Sequence, residues 1–339
     1  MLAVAGCTSE PEARDPQPTR SPSPSVTSSA PSPSPSPSTT PSPRARVGPV
    51  SVPALFDKRY DGRGLRLGDV LARTDAYTSY TVTYRSGDLR ISGKLDVPRG
   101  RGPHPAVVLA HGYIDPAIYV NGQGMRREQD WLARAGYVVL HVDYRNHAAS
   151  SRVPSAERRL RLGYSVDVVN AVHALRRTTK VRVDDDRIGL VGRSMGGSVI
   201  YNALVAQPGL VDAAVLFAPV SSRADDNFDR FIRQDDGAGD QALTREILDA
   251  HGSPRANPAF WRQASPRPYF DRITEPVLIQ HGTVDDTCPP RWTRATYRAM
   301  KAAGVDVTLR WYAGEGHTFY GAWPLSMRRT VAFLRAHLT

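Results

Sequence analysis

The sequence predicts an α/β fold, a mainly parallel twisted sheet of about eight strands with helices on both faces and a small helical lid, and three observations carry that reading. Short unbroken apolar runs, such as Ala106–Ala110, Tyr137–Val142 and Ala213–Phe217, have the pattern of strands buried on both faces. Segments of helical periodicity alternate with them, the order expected of crossover connections in a parallel sheet. Between one such strand and one such helix lies Gly192-Arg193-Ser194-Met195-Gly196, a tight strand-to-helix turn around a serine.

The elements follow in order from residue 77. Thr78–Tyr84 alternates, Ser86-Gly87-Asp88 turns, and Leu89–Val97 alternates again, which predicts a β-hairpin forming an antiparallel edge. Pro105 introduces the strand 106–110. A helix over Gln123–Ala135 is ended by Gly136, and the strand 137–142 follows. A long helix is predicted over about Ser155–Arg177, with Leu160, Tyr164, Val168, Val172 and Leu175 at helical spacing. After the strand Ile188–Val191, Ser194 and its helix comes the strand 213–217, then an insertion over 221–272. The last elements are a strand at Pro276–Gln280, a helix at Pro290–Ala303, a strand at Val305–Tyr312 and a helix at Ala322–Leu338.

The segment before residue 77 divides into three. Val4-Ala5-Gly6-Cys7 has the form of a lipobox, so 1–7 reads as the remnant of a lipoprotein signal peptide with Cys7 as the lipidated residue, the true start lying upstream; an accidental Gly-Cys pair is the alternative. Residues 8–46 are dominated by Ser-Pro alternation, have little apolar surface to bury and predict a disordered, extended linker. Residues 47–76 read as a lead-in segment to a catalytic domain over 77–339. The net charge of +11 comes almost wholly from Arg, with Lys only at 58, 94, 180 and 301, and no basic run is interleaved with aromatics, which argues against nucleic-acid binding. A membrane is expected as a partner only through the anchor at Cys7, with an extracellular or cell-envelope location in a bacterium. Cys288 reads as a packed residue rather than a reactive thiol.

Strands of such a sheet deliver functional residues at their C-terminal ends. Ser194 follows one strand, His281-Gly282-Thr283-Val284-Asp285-Asp286 another, and Ala313-Gly314-Glu315-Gly316-His317 a third. The order Ser, Asp, His suits a nucleophile, an orienting acid and a base: Ser194, Asp285 with Asp286 as fallback, and His317. Met195 N–H, at a helix start, and Tyr113 N–H, after His111-Gly112, are the candidate oxyanion donors. His111 and His281 read as packing or hydrogen-bonding residues.

Three ordered segments also resemble a known family. Asp186–Gly197, Pro276–Asp286 and Tyr312–His317 are similar to the nucleophile, acid and histidine segments of the prolyl-oligopeptidase family of the α/β-hydrolase fold, and to dienelactone-hydrolase-like esterases. The resemblance implies ester or amide hydrolysis through an acyl-enzyme, on a small ester or short peptide, without metal or organic cofactor. Two departures qualify it. The 76 residues before the domain are too few for the β-propeller of large members, and Met195 stands where peptidase members commonly carry Tyr. An esterase therefore stays open beside a peptidase, as do acyl transfer to another acceptor and a non-catalytic ligand-binding scaffold. The insertion 221–272 falls where this fold carries its lid; Trp261, with Tyr119, Tyr320 and Trp323, is a candidate pocket wall. An acidic loop at Asp225, Asp226, Asp235 and Asp236 reads as solvated, with no metal-ligand spacing.

Overall fold

A computed structural model describes residues 47–234 and 238–339, so the lipobox, the Ser-Pro linker, Asp235 and Asp236 lie outside the described residues. Nine strands form one sheet: β1 (Arg63–Arg73), β2 (Tyr77–Ser86), β3 (Leu89–Pro98), β4 (His104–Ala110), β5 (Val138–Val142), β6 (Val183–Arg193), β7 (Ala213–Phe217), β8 (Val277–Gly282) and β9 (Val307–Tyr312). Their spatial order is β1-β2-β3-β5-β4-β6-β7-β8-β9. The first three strands and the β3–β5 pair are antiparallel, and every pair from β5 to β9 is parallel. The chain runs from β4 outward to β5, then returns to add β6 on the other side of β4. That reversal opens a crevice at the carboxyl ends of β4 and β6, where Gly112 and Ser194 emerge.

The helices are α1 (Arg126–Arg134), α2 (Leu162–Arg176), α3 (Met195–Ala206), α4 (Ala224–Phe231), α5 (Ala238–His251), α6 (Pro258–Gln263), α7 (Pro290–Ala302) and α8 (Trp323–His337). Alternate residues of one strand face opposite layers. Ala106, Val108 and Ala110 of β4 join a core with α2, α3 and α7, while Val107 and Leu109 join a second with α1 and α8. Because both faces are covered, β5 and β7 are wholly buried, which is why they appear as unbroken apolar runs. Helices α4 to α6 form the lid, with a small core of their own around Phe228, Ile232, Ile247 and Trp261.

Three expectations need correction. The segment 47–76 is no mere lead-in, since it supplies β1, the edge strand antiparallel to β2, and the predicted hairpin therefore lies inside the sheet. Only Leu65 of β1 is buried while Val70 and Leu71 are exposed, and the register shifts three times, so the strand lacks the alternation that marks a half-buried one. The predicted helix over 155–177 begins only at Leu162, because Leu160 and Arg161 take positive φ of 50° and 56° and break the helical path. The first helix likewise starts at Arg126 rather than Gln123.

The approach to β1 is held by contact with α2. Asn170 accepts hydrogen bonds from Asp61 N (2.9 Å) and Gly62 N (2.8 Å), and a Cβ on Gly62 would lie 1.9 Å from the Asn170 backbone oxygen. Gly62→Ala is therefore expected to destabilise the domain by about 1–3 kcal/mol. Gly48→Ala, where an added Cβ meets nothing within 4 Å, should be nearly neutral. Urea unfolding of both variants checks this; equal midpoints would show that 47–76 is not packed on the sheet.

Candidate active site

Ser194 sits between the last residue of β6 and the first of α3 with φ 56° and ψ −119°, a strained combination for a residue with a Cβ. The turn is fixed from outside: Ser194 N–H donates to Phe217 O (3.0 Å), and Val220 N–H donates to Ser194 O (3.2 Å). It also needs Gly196, because a Cβ there would stand 1.9 Å from the Ala110 backbone oxygen at the end of β4. The sharp turn thus brings the start of α3 against the loop that carries Gly112 and Tyr113.

Asp285 lies in the turn after β8, its side chain fully buried. Its Oδ1 accepts from the backbone N–H groups of Thr287 (3.0 Å) and Cys288 (2.8 Å). Its Oδ2 faces two imidazoles, His317 Nδ1 at 2.9 Å and His281 Nε2 at 3.0 Å. Burial by itself would raise the carboxyl pKa; the hydrogen bonds from His281, His317 and the Cys288 N–H outweigh it and hold the group well below the usual carboxylate range. With Nδ1–H donated to Asp285, His317 is left with Nε2 free to accept a proton. On the other imidazole, His281 Nδ1 is 2.7 Å from the Thr293 hydroxyl, and Nε2 is also 2.9 Å from Cys288 O. The Thr293 hydroxyl therefore donates to Nδ1, and Nε2–H is shared between Asp285 and that carbonyl.

Among the described residues Ser194 makes no hydrogen bond to His317; its hydroxyl neighbours the Cys288 thiol and opposes, by a smaller amount, the rise that burial gives that thiol's pKa. Cys288 N–H in turn binds Asp285, which also holds the His317 imidazole. Catalytic hydrogen bonds are commonly long until substrate binds. Burial, with Asp285 nearby, pushes the Cys288 thiol far up, so this sulfur stays protonated. Asp286 is not part of this network: among the described residues its carboxylate meets only the Thr287 hydroxyl, at 3.3 Å.

A cavity of about 610 Å³ opens beside Ser194, walled by Met195, Tyr113, one face of α3 and the lid. None of the four aromatics expected to line it does so. The Tyr119 hydroxyl donates to Asp143 (2.8 Å) and its ring stacks on His111, centroids 4.7 Å apart. Trp261 is 2% exposed inside the lid core, packed on Phe228. Trp323 donates its indole N–H to Glu128 (3.0 Å) and packs edge-on to Trp131. Tyr320 is exposed and lines a smaller recess of about 350 Å³ with Arg126, Arg127 and Thr318. Large aromatics with a polar tip were buried with that tip satisfied, which removed them from the wall. Glu157, Arg161 and Asn202 take their place, and only Asn202, seven residues after Met195 on one helix face, left a periodic signal.

Comparison with known proteins follows the same lines. The sequence profile of the prolyl oligopeptidase family matches residues 123–339. The dipeptidyl aminopeptidase BIII of Pseudoxanthomonas mexicana is 25% identical over 257 residues, covering 71% of this chain and only 33% of that relative's own length. Two solved structures share the fold. A puromycin-hydrolyzing peptidase of Mycobacterium tuberculosis superposes with a TM-score of 0.62 at 22% identity, over 78% of this chain and 40% of that one. Acetyl xylan esterase 1 of Thermoanaerobacterium sp. gives 0.56 at 18% identity, over 80% and 88%.

Beneath the Gly112 loop lies a buried histidine cluster. His111 stacks between Tyr119 and Tyr144, and burial with neighbouring His147 drives its pKa down to about 3. His141 and His147 are lowered as well, burial again the largest cause. A histidine with a folded pKa below its unfolded value contributes stability that is complete above about pH 6.5 and is lost as pH falls towards the folded pKa. The unfolding free energy from denaturant titrations should thus decline from pH 7 to pH 4, at up to about 1.4 kcal/mol per pH unit for His111. The decline should be shallower in His111→Phe. An unchanged slope in that variant would remove His111 as a source.

Proposed function

This chain belongs to the prolyl oligopeptidase family, and from that premise we propose that it is a serine hydrolase that cleaves carboxylic esters or short peptide amides through an acyl-enzyme on Ser194. His317 Nε2 takes the Ser194 proton as Oγ attacks the carbonyl carbon, then gives it to the leaving oxygen or nitrogen. Asp285 holds the imidazole in the tautomer that leaves Nε2 free and stabilises the imidazolium. The N–H groups of Met195 and Tyr113 receive the oxyanion, the first with the added field of the α3 N-terminus. Water then repeats the sequence on the acyl-enzyme. The observation that carries the reading is the 2.9 Å His317–Asp285 hydrogen bond, formed beyond the carboxyl ends of strands in the same parallel run that ends at a serine held in a strained turn. Ester and amide cleavage use the same groups, and both remain within the proposal.

The location is proposed with it: a secreted enzyme held at a bacterial cell envelope by lipid on Cys7, with the Ser-Pro segment as tether. What supports this is Val4-Ala5-Gly6-Cys7 and the extended composition that follows.

A fluorophosphonate probe should label Ser194 and fail on Ser194→Ala; no adduct on the folded wild type would refute the acyl-enzyme. Asp285→Asn should lower kcat, measured per folded protein, by about 10⁴-fold, since the wrong imidazole tautomer is then favoured, and should also lower the unfolding temperature, since an amide cannot accept from all four buried donors. In cells, labelled palmitate should enter the wild type and not Cys7→Ser, and equal labelling would reject the anchor.

A further inference from the structure

We propose that the cavity beside Ser194 holds the acyl half of the substrate and that Asn202 is a specificity-determining residue, reading a neutral hydrogen-bond donor at the far end of that acyl group. The inference rests on Ser194 as nucleophile and adds the acyl class and the residue that selects it. In acyl transfer the carbonyl oxygen faces the oxyanion donors, whereas the leaving atom must face the imidazole that protonates it. The cavity wall includes Met195 and Tyr113 and no residue of the 313–320 loop, so the acyl side enters it.

Its size and lining then limit what fits. At about 610 Å³ the cavity is in the range that encloses a drug-sized ligand, and an acetyl group would leave most of it empty. Along α3 the wall is formed by Met195, Val199 and Asn202, one helix face running about 10 Å from the nucleophile. Val199, Leu160, Phe228 and Phe231 give the wall apolar surface among its polar side chains.

The far end is where an interaction is missing. Asn202 is 5% exposed and its Oδ1 has no hydrogen-bond partner among the described residues. Asn227, also on the wall, donates Nδ2–H to Ser221 O while its own Oδ1 is likewise unpartnered. Buried amide oxygens without donors are costly, and a ligand that brings a donor removes the cost. Glu157, the carboxylate of the same wall, already accepts from Arg161 Nε and from the Tyr164 hydroxyl. Arg161 and Arg230 outnumber that carboxylate on the wall, so a cationic terminus is disfavoured and a hydroxyl or amide N–H favoured.

Four p-nitrophenyl esters with one leaving group test this: acetate, octanoate, ω-hydroxyoctanoate and ω-aminooctanoate. Each is assayed with wild type and Asn202→Leu after active-site titration with fluorophosphonate. In the wild type kcat/KM should rise from acetate to octanoate and again, by about 10-fold, to ω-hydroxyoctanoate, with the ω-amino ester below the ω-hydroxy one. Asn202→Leu, with the same branching of heavy atoms, should erase or invert the hydroxyl preference. Asn202→Ser serves if the leucine variant does not fold, with the same loss expected. A best rate on acetate, no gain from the hydroxyl, or a gain that survives both substitutions would overturn the inference while leaving the hydrolase intact. Absence of both probe labelling and ester turnover in folded wild type would instead overturn the Ser194 reading, and the acyl assignment with it.

Discussion

A buried carboxylate is tolerable only when its lone pairs are met, and the four donors around Asp285 are the constraint from which the local architecture follows. Two come from the backbone of Thr287 and Cys288, which bends the chain after β8 around the carboxylate. One comes from His281 on β8, itself fastened to Thr293 on α7, and one from His317 beyond β9. A strand, a helix and two loops are thereby tied to one charge. The same hydrogen bonds that satisfy the carboxylate keep it ionised and set the His317 tautomer.

The serine turn meets a different cost. Ser194 holds a positive φ because its neighbours leave no alternative: Phe217 and Val220 bind its backbone, and the chain at Gly196 lies against β4 with no room for a side chain. Strain of this kind persists only where packing over-determines it. The packing is supplied by a sheet covered on both faces, so the core and the site are coupled at the point where the strand order reverses.

Much of this was legible in residue order. Runs such as Ala213–Phe217 can be satisfied only between two layers, and the turn around Ser194 only between a strand and a helix. The segments ending in Asp285 and His317 follow strands, so a parallel sheet carries them to the same edge as Ser194. β1 was not legible, since an edge strand with bulges buries one leucine and needs no alternation. Neither was the late start of α2, where two positive φ values interrupt a pattern that stays apolar through the break.

By itself, then, the sequence determined the fold class, the order of strands and helices and the three residues brought to one edge, because periodicity reports which side of an element is buried and chain order limits how a parallel sheet can close. Only the tertiary structure decided which side chains face the cavity. Tyr119, Trp261 and Trp323 have the composition of a pocket wall yet find hydrogen bonds and ring contacts elsewhere, while Asn202 lines the cavity with its amide oxygen unmet among the described residues. Burial is a property of a residue's place in a pattern. The partner that satisfies it is a property of the packed whole.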